Sequence, residues 1–389
     1  MVRGCCDRRI IKSQHYNLII TLKGNGRMFL IDLVVGARPN FMKAAPVFEA
    51  LRMRRPDWRV RLIHTGQHYD ERMSELFFRQ LSMPKPDVNL GIGSASQGIQ
   101  TARIMVALEK WFTRDRPNLV FVFGDVNSTL AGSLIASKMQ IPLAHVEAGL
   151  RSFDRTMPEE VNRVLTDAVS DWLFTTEPDA EVNLRREGIA PERICFVGNT
   201  MIDTLLKHLP HALALHMPDR YEVIPKRYAV VTLHRPGNVD NPSVLHRILQ
   251  GLTEIASEIP LLFPVHPRTR QRLEGLVISN SNLRIFEPMG YLEFIGLMAS
   301  AVVVLTDSGG IQEETTILGV PCVTLRGNTE RPITVKAGTN ILVGDDPQRM
   351  VAEALRALNG KGKEPQMILE KWDGKAASRI VDCIESHMQ

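Results

Sequence analysis

The sequence predicts an α/β protein in which two doubly wound, Rossmann-like domains face each other across a cleft. Short apolar runs rich in Val, Ile and Leu alternate with longer amphipathic segments, the pattern of strands and helices in a parallel sheet. This alternation occurs twice, on either side of a loop-like stretch that contains Pro218 and Pro225. A chain of 389 residues with 44% hydrophobic content is long enough for two such cores.

The first alternation begins at Met28 and defines a first domain at residues 28–199. We interpret residues 1–27, which carry no clear pattern, as a disordered or artefactual extension. Strands are predicted at residues 29–35 and 60–64, from Leu119, from Leu143, and at residues 172–175 and 194–197. Helices are predicted at residues 71–81, 97–112, 128–139, 160–170 and 180–187.

The second alternation defines a second domain at residues 200–371, with the boundary between Val197 and Tyr228. It opens with a predicted helix at residues 200–215. Its strands are predicted at residues 228–233, 261–265, 283–286, 302–305, 322–325 and 340–343. Residues 372–389 contain a last predicted helix, residues 376–386, which we expect to pack back on the first domain.

Composition and missing motifs disfavour several classes of function. The formal charge of +4 comes from scattered basic residues, so nucleic-acid binding is not indicated. The sequence contains no G-x-G-x-x-G after a strand, no P-loop and no H-E-x-x-H motif, which argues against redox cofactors, ATP hydrolysis and zinc protease chemistry. We therefore expect neither a cofactor nor a metal.

Cysteine usage and hydropathy indicate the compartment. The five cysteines show no metal-ligand spacing, and Cys195 and Cys322 lie in apolar runs, where a thiol behaves as a small hydrophobe. This usage fits a reducing cytoplasm best. No apolar run approaches the roughly 18 residues of a membrane span, and the first residues lack a signal-peptide pattern. We expect a cytoplasmic protein that does not bind membranes.

Three acids follow apolar runs or turns in the first domain: Asp125, Glu147 and Glu159. The first two come after runs that read as buried parallel strands, so both are expected at the carboxyl edge of the sheet, where open α/β sheets bind ligands. Gly124 and Gly149 beside them would let a ligand approach the backbone. The alternative is that Asp125 caps a helix starting near Ser128 and that the two glutamates are solvated loop acids.

Basic and imidazole groups follow the first two strands. Arg38 and Lys43 lie where a tight turn feeds a helix whose amino end attracts anions, although a plain turn with solvated basic residues is the alternative. His64 and His68 are four residues apart, as in a metal pair on a helix, but Gly66 between them argues against a helix. A polar rim to the cleft is the favoured interpretation.

Two strands of the second domain end in histidine and arginine. His234-Arg235 follows its first strand, and His266 with Arg268 follows the next. A lone histidine is more often a structural group, but the repeated arrangement favours contact with a phosphate or a sugar.

A hydroxyl and two glycines, Ser308, Gly309 and Gly310, lie between a later strand and a helical pattern. Backbone N–H groups at a helix start, without a Cβ to obstruct them, form a phosphate cradle. Glu314 is expected on the first turn of that helix, where it can cap the helix or accept from a ribose diol. An ordinary capped turn is the alternative.

Together these motifs resemble the non-hydrolysing UDP-N-acetylglucosamine 2-epimerases, and the match runs from about Met28 to the last helix. The resemblance implies the two-domain GT-B fold of one large class of glycosyltransferases. The last motif of the family's sequence pattern, Thr-Glu-Arg-Pro, is present in this chain as Thr329-Glu330-Arg331-Pro332. The matching segments are residues 36–43, 65–68, 124–125, 145–151, 158–163, 198–200, 234–235, 307–314 and 329–332.

By this resemblance, the chain interconverts UDP-N-acetylglucosamine and UDP-N-acetylmannosamine and supplies an activated sugar for surface polysaccharide. Asp125, Glu147 and Glu159 surround the hexose, and His234 is the fourth catalytic residue. The residues implied in binding are Arg38, His234 and Ser308–Gly310 for the diphosphate, Glu314 for the ribose, Phe294 in the loop at residues 288–294 for the uracil, and Lys43, Gln67, Arg163, Arg235, His266 and Arg331 elsewhere in the cleft.

The resemblance also implies a homodimer and, at Gln67 and His266, a second UDP-N-acetylglucosamine that activates the enzyme. The sequence departs from the family at Ala37 and Asn40, at Pro236-Gly237 and at Ile333, which concerns substrate choice and regulation more than the reaction. A hydrolysing epimerase, a glycosyltransferase of the same fold and a non-catalytic UDP-sugar sensor are the alternatives.

Overall fold

The computed structural model describes residues 28–67, 77–265, 267–273 and 280–387. Two parallel sheets, one in each half of the chain, confirm the predicted fold class. The helix predicted at residues 71–81 lies partly outside the described residues, and residues 77–80 of it are helical. Among the described helices, none is long and apolar enough to cross a membrane.

The first sheet has seven strands in the order β3-β2-β1-β4-β5-β6-β7. Helices cover both of its faces, so the apolar residues of β1, β4 and β5 are buried along each strand. Its strands are β1 (Leu30–Val35), β2 (Arg59–His64), β3 (Val88–Asn89), β4 (Leu119–Phe123), β5 (Leu143–Ala148), β6 (Trp172–Thr175) and β7 (Ile194–Phe196). Its helices are α1 (Arg38–Arg54), α2 (Gln97–Arg114), α3 (Asn127–Lys138), α4 (Pro158–Val169) and α5 (Pro178–Arg186).

The second sheet has six strands in the order β10-β9-β8-β11-β12-β13. Its strands are β8 (Ala229–Thr232), β9 (Leu261–Pro264), β10 (Leu283–Phe286), β11 (Val303–Thr306), β12 (Cys322–Thr324) and β13 (Asn340–Leu342). The helices from residue 200 onward are α6 (Thr200–Leu213), α7 (Met217–Arg220), α8 (Pro236–Val239), α9 (Pro242–Ala256), α10 (Pro267–Leu273), α11 (Tyr291–Ser300), α12 (Gly309–Leu318), α13 (Pro332–Lys336), α14 (Pro347–Arg356) and α15 (Ala376–Ser386).

Strand order reverses beside β1 in the first sheet and beside β8 in the second. Ligands of open α/β sheets bind outside the carboxyl ends of the strands at such points. Polar contacts also join the two halves of the chain. The Nε2 of Gln80 donates to Glu293 at 2.7 Å, and the Nδ2 of Asn328 donates to Asp154 at 3.3 Å. The candidate site therefore lies between the two sheets.

Helix α15 packs against α1, and Trp372, just before α15, donates its indole N–H to the carbonyl of Thr176 at 2.9 Å.

The expectation of a free thiol at Cys195 is wrong, because Cys195 forms a disulfide with Cys383 of α15. The reason is its position on β7, the edge strand, where the side chain is only half-buried and faces α15. Cys322 is buried and free, as expected.

Candidate active site

Asp125 lies in the turn after β4, directly behind Gly124, whose φ is +62°. Its Oδ2 accepts from the Nε of Arg163 at 3.3 Å. Burial raises the pKa of Asp125, but the positive charges of Arg163, Lys43 and Arg331 outweigh burial and leave the pKa below its ordinary value. The residue before α3 is Val126, so Asp125 does not cap that helix. It is an ionised group in the cleft.

Glu147 interrupts β5, where the pairing with β6 shifts register between Val146 and Ala148. Its φ is +75°, a left-handed conformation that costs a non-glycine residue free energy and recurs at functional sites. The side chain is 3% exposed, so Glu147 is not a solvated loop acid. Its Oε1 accepts from Lys43 at 2.5 Å, while its Oε2 is buried without a hydrogen-bond partner among the described residues.

Glu159 lies on the first turn of α4 and is partly exposed. Within the described part of the chain it has no hydrogen bond or ion pair, so the structure does not connect it with Asp125 or Glu147. Its neighbour Glu160 is buried and accepts from the backbone N–H groups of Ser152 and Phe153. Glu160 therefore orders the loop before α4, and Glu159 is left available to a ligand.

Arg331 connects the two domains across the cleft. Its Nη2 donates to Oε1 of Glu147 at 3.2 Å, its Nε lies 2.9 Å from Oε1 of Glu313, and its Nη1 donates to Glu330 at 2.5 Å. Burial raises the pKa of Glu313 to about 7 despite the opposing charge of Arg331. Glu330 is buried too, but Arg331 and Arg326 hold its pKa well below the ordinary value. One guanidinium thus organises acids from both domains.

His234 follows β8 and is oriented by Asp307, a fully buried residue that follows β11. The Nδ1 of His234 lies 3.0 Å from Oδ1 of Asp307. The same carboxylate accepts the backbone N–H of His234 at Oδ1 and that of Arg235 at Oδ2. Burial raises the pKa of Asp307, but His234 and these N–H groups lower it below its ordinary value. The side chain of His234 is 46% exposed, so its Nε2 is available to an anion.

The start of α12 has the features of an anion cradle. Ser308 precedes the helix, and its hydroxyl caps no backbone N–H group. A Cβ on Gly309 would lie 2.5 Å from the Nη1 of Arg331, and one on Gly310 would lie 2.9 Å from the Cε of Met201. Only glycine fits at the first of these positions without moving Arg331. The N–H groups, the hydroxyl and the helix dipole favour a bound phosphate.

Arg38, the first residue of α1, lies close enough to Glu314 of α12 for their charges to interact. The guanidinium of Arg38 stacks over the ring of Phe77 at 4.3 Å, and burial lowers its pKa to about 10 although Glu314 opposes this. Burial raises the pKa of Glu314 to about 7, and its Oε1 accepts from the hydroxyl of Tyr291 at 2.9 Å. Glu314 was expected on the first turn of α12, but the helix begins at Gly309 and places it on the second.

The remaining predicted binding residues are less directly connected with the acids. Gln67 accepts from the hydroxyl and the backbone N–H of Ser128, and the Nη2 of Arg235 lies 3.7 Å from Glu330. The predicted loop at residues 288–294 is shorter than expected, because a helix begins at Tyr291, and Phe294 on its first turn is partly buried against the core of the second domain. His266 and His68 lie outside the described residues.

Several residues that complete the site were not singled out from the sequence. Asp307, Glu313 and Glu330 each stand inside a motif that carried the resemblance, but only the folded contacts show that they orient His234 and Arg331. Asn40 accepts from the N–H of Gly36 and donates to the carbonyl of Phe123, so this departure from the family holds the turn before α1 against the end of β4. In the described ranges, no group of three or more His, Cys, Asp or Glu could hold a metal ion.

Two Rossmann-like domains, each with a parallel sheet, give this protein the GT-B fold. Residues 50–385 match the family model described as UDP-N-acetylglucosamine 2-epimerase, and the chain belongs to this family.

Relatives support the family assignment. The UDP-N-acetylglucosamine 2-epimerase of Methanocaldococcus jannaschii is 44% identical over 90% of this chain and 97% of its own. The UDP-2,3-diacetamido-2,3-dideoxy-D-glucuronate 2-epimerase of Pseudomonas aeruginosa is 41% identical over 90% and 97%. The crystal structure of the M. jannaschii enzyme in complex with UDP-GlcNAc and UDP has a TM-score of 0.84, at 43% identity, over 92% of this chain and 100% of that one.

Proposed function

We propose that this protein reversibly epimerises UDP-N-acetylglucosamine to UDP-N-acetylmannosamine at C2, without net hydrolysis and without a cofactor. One observation carries the proposal: the strained, buried Glu147 meets Lys43 of its own domain and Arg331 of the anion-binding domain in one cleft. An acid is thereby held next to the groups that would stabilise a departing diphosphate.

The order of bond breaking follows from the acidity of the sugar. The hydrogen at C2 is not acidic in the ring form, because no carbonyl adjoins that carbon. Cleavage of the C1–O bond must therefore lead, since departure of UDP gives C1 oxocarbenium character and acidifies C2. A carboxylate then removes the C2 proton to give 2-acetamidoglucal and UDP. Return of UDP to C1, with a proton delivered to the opposite face of C2, completes the inversion.

The two domains would divide this work. His234, Arg38 and the cradle at residues 308–310 would stabilise the negative charge on the leaving diphosphate. Asp125, Glu147 and Glu159 would supply the base, the acid and the charge that stabilises the oxocarbenium ion. Glu314 would accept from the ribose diol, and the turn before α11, with Phe294 on the first turn of that helix, would hold the uracil.

In the proposed reaction the enzyme keeps the 2-acetamidoglucal bound until UDP returns to C1, and this distinguishes it from a hydrolysing epimerase, a glycosyltransferase and a UDP-sugar sensor. Gln80 and Glu293 make a hydrogen bond between the domains, and a cleft that closes over the substrate would keep water from C1. A hydrolysing epimerase would release UDP and free sugar, a glycosyltransferase would require an acceptor, and a sensor would turn over nothing. We further propose a cytoplasmic homodimer that supplies surface polysaccharide synthesis, although the disulfide of Cys195 does not support the cysteine argument for that compartment.

In deuterium oxide, we expect both UDP-sugars to acquire deuterium at C2 as they interconvert. The reason is that the proton removed from C2 exchanges with solvent before the new one is delivered. Proton NMR of purified protein with UDP-N-acetylglucosamine follows both the label and the product. Epimerisation without label would contradict the elimination route, and accumulation of free UDP in step with product would indicate a hydrolysing enzyme.

A parallel incubation with a second UDP-sugar tests which sugar this protein prefers as its substrate. The relative from P. aeruginosa is named for a diacetamido glucuronate sugar, so UDP-2,3-diacetamido-2,3-dideoxy-D-glucuronate serves as the competing substrate. We expect kcat/KM to favour UDP-N-acetylglucosamine. A preference for the diacetamido sugar would retain the reaction but overturn the proposed substrate.

We also propose that a second UDP-N-acetylglucosamine activates the enzyme beside the active site, near Gln67. Turnover of UDP-N-acetylmannosamine is then expected to begin with a lag that traces of UDP-N-acetylglucosamine remove. Pro236-Gly237, a departure from the family pattern, would weaken this effect rather than abolish it. Progress curves recorded with and without added activator measure the lag, and linear curves at every concentration would argue against the second site.

A further inference from the structure

A charged network lies beneath the turns that carry Asp125 and Glu147, and its centre is His145 of β5. The side chain of His145 is completely buried. Its Nδ1 lies 2.6 Å from Oδ1 of Asp167 on α4, and its Nε2 lies 2.8 Å from the backbone carbonyl oxygen of Gly124. Each ring nitrogen thus faces an oxygen.

The other contacts of Asp167 are those of a carboxylate. Its Oδ2 accepts from the backbone N–H of Gly149 at 3.0 Å and lies 2.7 Å from Nη2 of Arg151. The guanidinium of Arg151 and the N–H of Gly149 both favour the carboxylate form of Asp167. Both oxygens that face the ring of His145, one from a carboxylate and one from a carbonyl, can therefore only accept hydrogen bonds.

We propose that His145 is an imidazolium that holds the Gly124 carbonyl in place and is thereby a positioning residue for Asp125. A neutral imidazole has one donor and one acceptor nitrogen, so it would set a lone pair against one of the two oxygens. Neighbouring charges balance the buried cation. Arg151 also pairs with Glu187 at 2.6 Å, so the network contains two cations and two anions.

The network connects the turns after β4 and β5. Gly124 accepts from His145 through its carbonyl and donates its N–H to the carbonyl of Val146 at 2.9 Å. The carbonyl of Asp125 accepts from Asn162 at 2.9 Å. Gly149, two residues after Glu147, is tied to the same Asp167. A change at His145 would therefore move an acid of the site without touching the anion cradle.

The protonation state is tested by NMR of the full-length protein labelled with ¹⁵N-histidine. At pH 7.5 we expect one-bond N–H couplings at both ring nitrogens of His145, assigned by their absence in His145→Gln. If that variant does not fold, nuclear Overhauser contacts with the amide of Gly149 assign the same signals. A single protonated nitrogen would overturn the proposal. This readout is independent of turnover, so it stands or fails separately from the proposed function on which the positioning role rests.

The positioning role is tested by kinetics of the same variant. Glutamine retains an amide donor but carries no positive charge. His145→Gln is therefore expected to lower kcat by on the order of 10², the effect of misplacing a catalytic group by about 1 Å. The affinity for UDP should not change. His208→Gln, a buried histidine of α6 away from both turns, is the matched control and should retain the parental kcat. A folded His145→Gln variant with parental kcat would refute the positioning role.

Discussion

Glu147→Gln is expected to lower kcat by about 10² to 10⁴ while the affinity for UDP changes little, because losing a positioned acid or base has an effect of this size. The amide keeps the size of the side chain but removes the charge that meets Lys43 and Arg331. Asp125→Asn and Glu159→Gln are expected to behave in the same way. All three acids belong to the domain opposite the anion cradle.

Variants on the other side of the cleft provide the contrast. His234→Ala removes a group that Asp307 orients, and Ser308→Ala removes a hydroxyl that caps no backbone N–H group. Both are expected to weaken UDP binding as well as catalysis, because the proposed function places both side chains at the leaving diphosphate. Titration calorimetry with UDP, run beside the rate assay, separates the two sets.

Near-parental turnover in all three amide variants would show that these acids are structural. Glu159 is the most informative of them, because the structure gives it no contact with the other two. If only Glu159→Gln retained full turnover, the role implied for this residue by resemblance would be wrong, and the roles of Asp125 and Glu147, which rest on described contacts, would remain.

The placement of Asp125 and Glu147 at the carboxyl edge of the first sheet could be predicted from the sequence, because it depends only on the apolar runs directly before these acids. The apolar runs before Asp125 and Glu147 form buried strands, and parallel strands end at one edge. Boundaries that depend on a helix start were less secure. Glu314 was predicted on the first turn of α12 but lies on the second, because the helix begins at Gly309.

Features that depend on contact between distant segments could not be predicted in this way. The left-handed backbone of Glu147 is set by a register shift between β5 and β6, and nothing in its own sequence requires it. The contact of Arg331 with Glu147 joins residues 184 positions apart, and the disulfide of Cys195 joins residues separated by 188. Such contacts arise only when the domains and the last helix pack.

Arg331→Met is expected to destabilise the protein by about 3 to 5 kcal/mol, the usual cost of removing one partner of a buried ion pair. The arginine is buried and contacts Glu147, Glu313 and Glu330, so its loss leaves three buried carboxylates short of a cation. Turnover should fall as well, since Glu147 would lose the contact that fixes it to the opposite domain. Arg247→Met, which removes an exposed pair with Asp345, is the control and should cost at most about 1 kcal/mol.

The destabilisation should depend on pH in a defined direction. In the parent, Arg331 holds the pKa of Glu330 well below its ordinary value, so this pair stabilises the fold above the ordinary carboxyl range and the contribution is lost as pH falls. Burial already raises the pKa of Glu313, and without the opposing charge of Arg331 this pKa rises further, so the folded variant binds a proton that the unfolded chain releases. Its deficit should therefore be larger at pH 7.5 than at pH 5.

Urea unfolding of both variants at the two pH values measures this difference. Adding Glu313→Gln to Arg331→Met removes a fully buried carboxylate whose ion pair, among the described residues, is with Arg331, so the double variant should recover part of the lost stability at pH 7.5 and less at pH 5. A deficit independent of pH would indicate lost packing rather than unpaired charge. An Arg331→Met protein that unfolds at the parental urea concentration and turns over at the parental rate would show that this guanidinium does not organise the cleft.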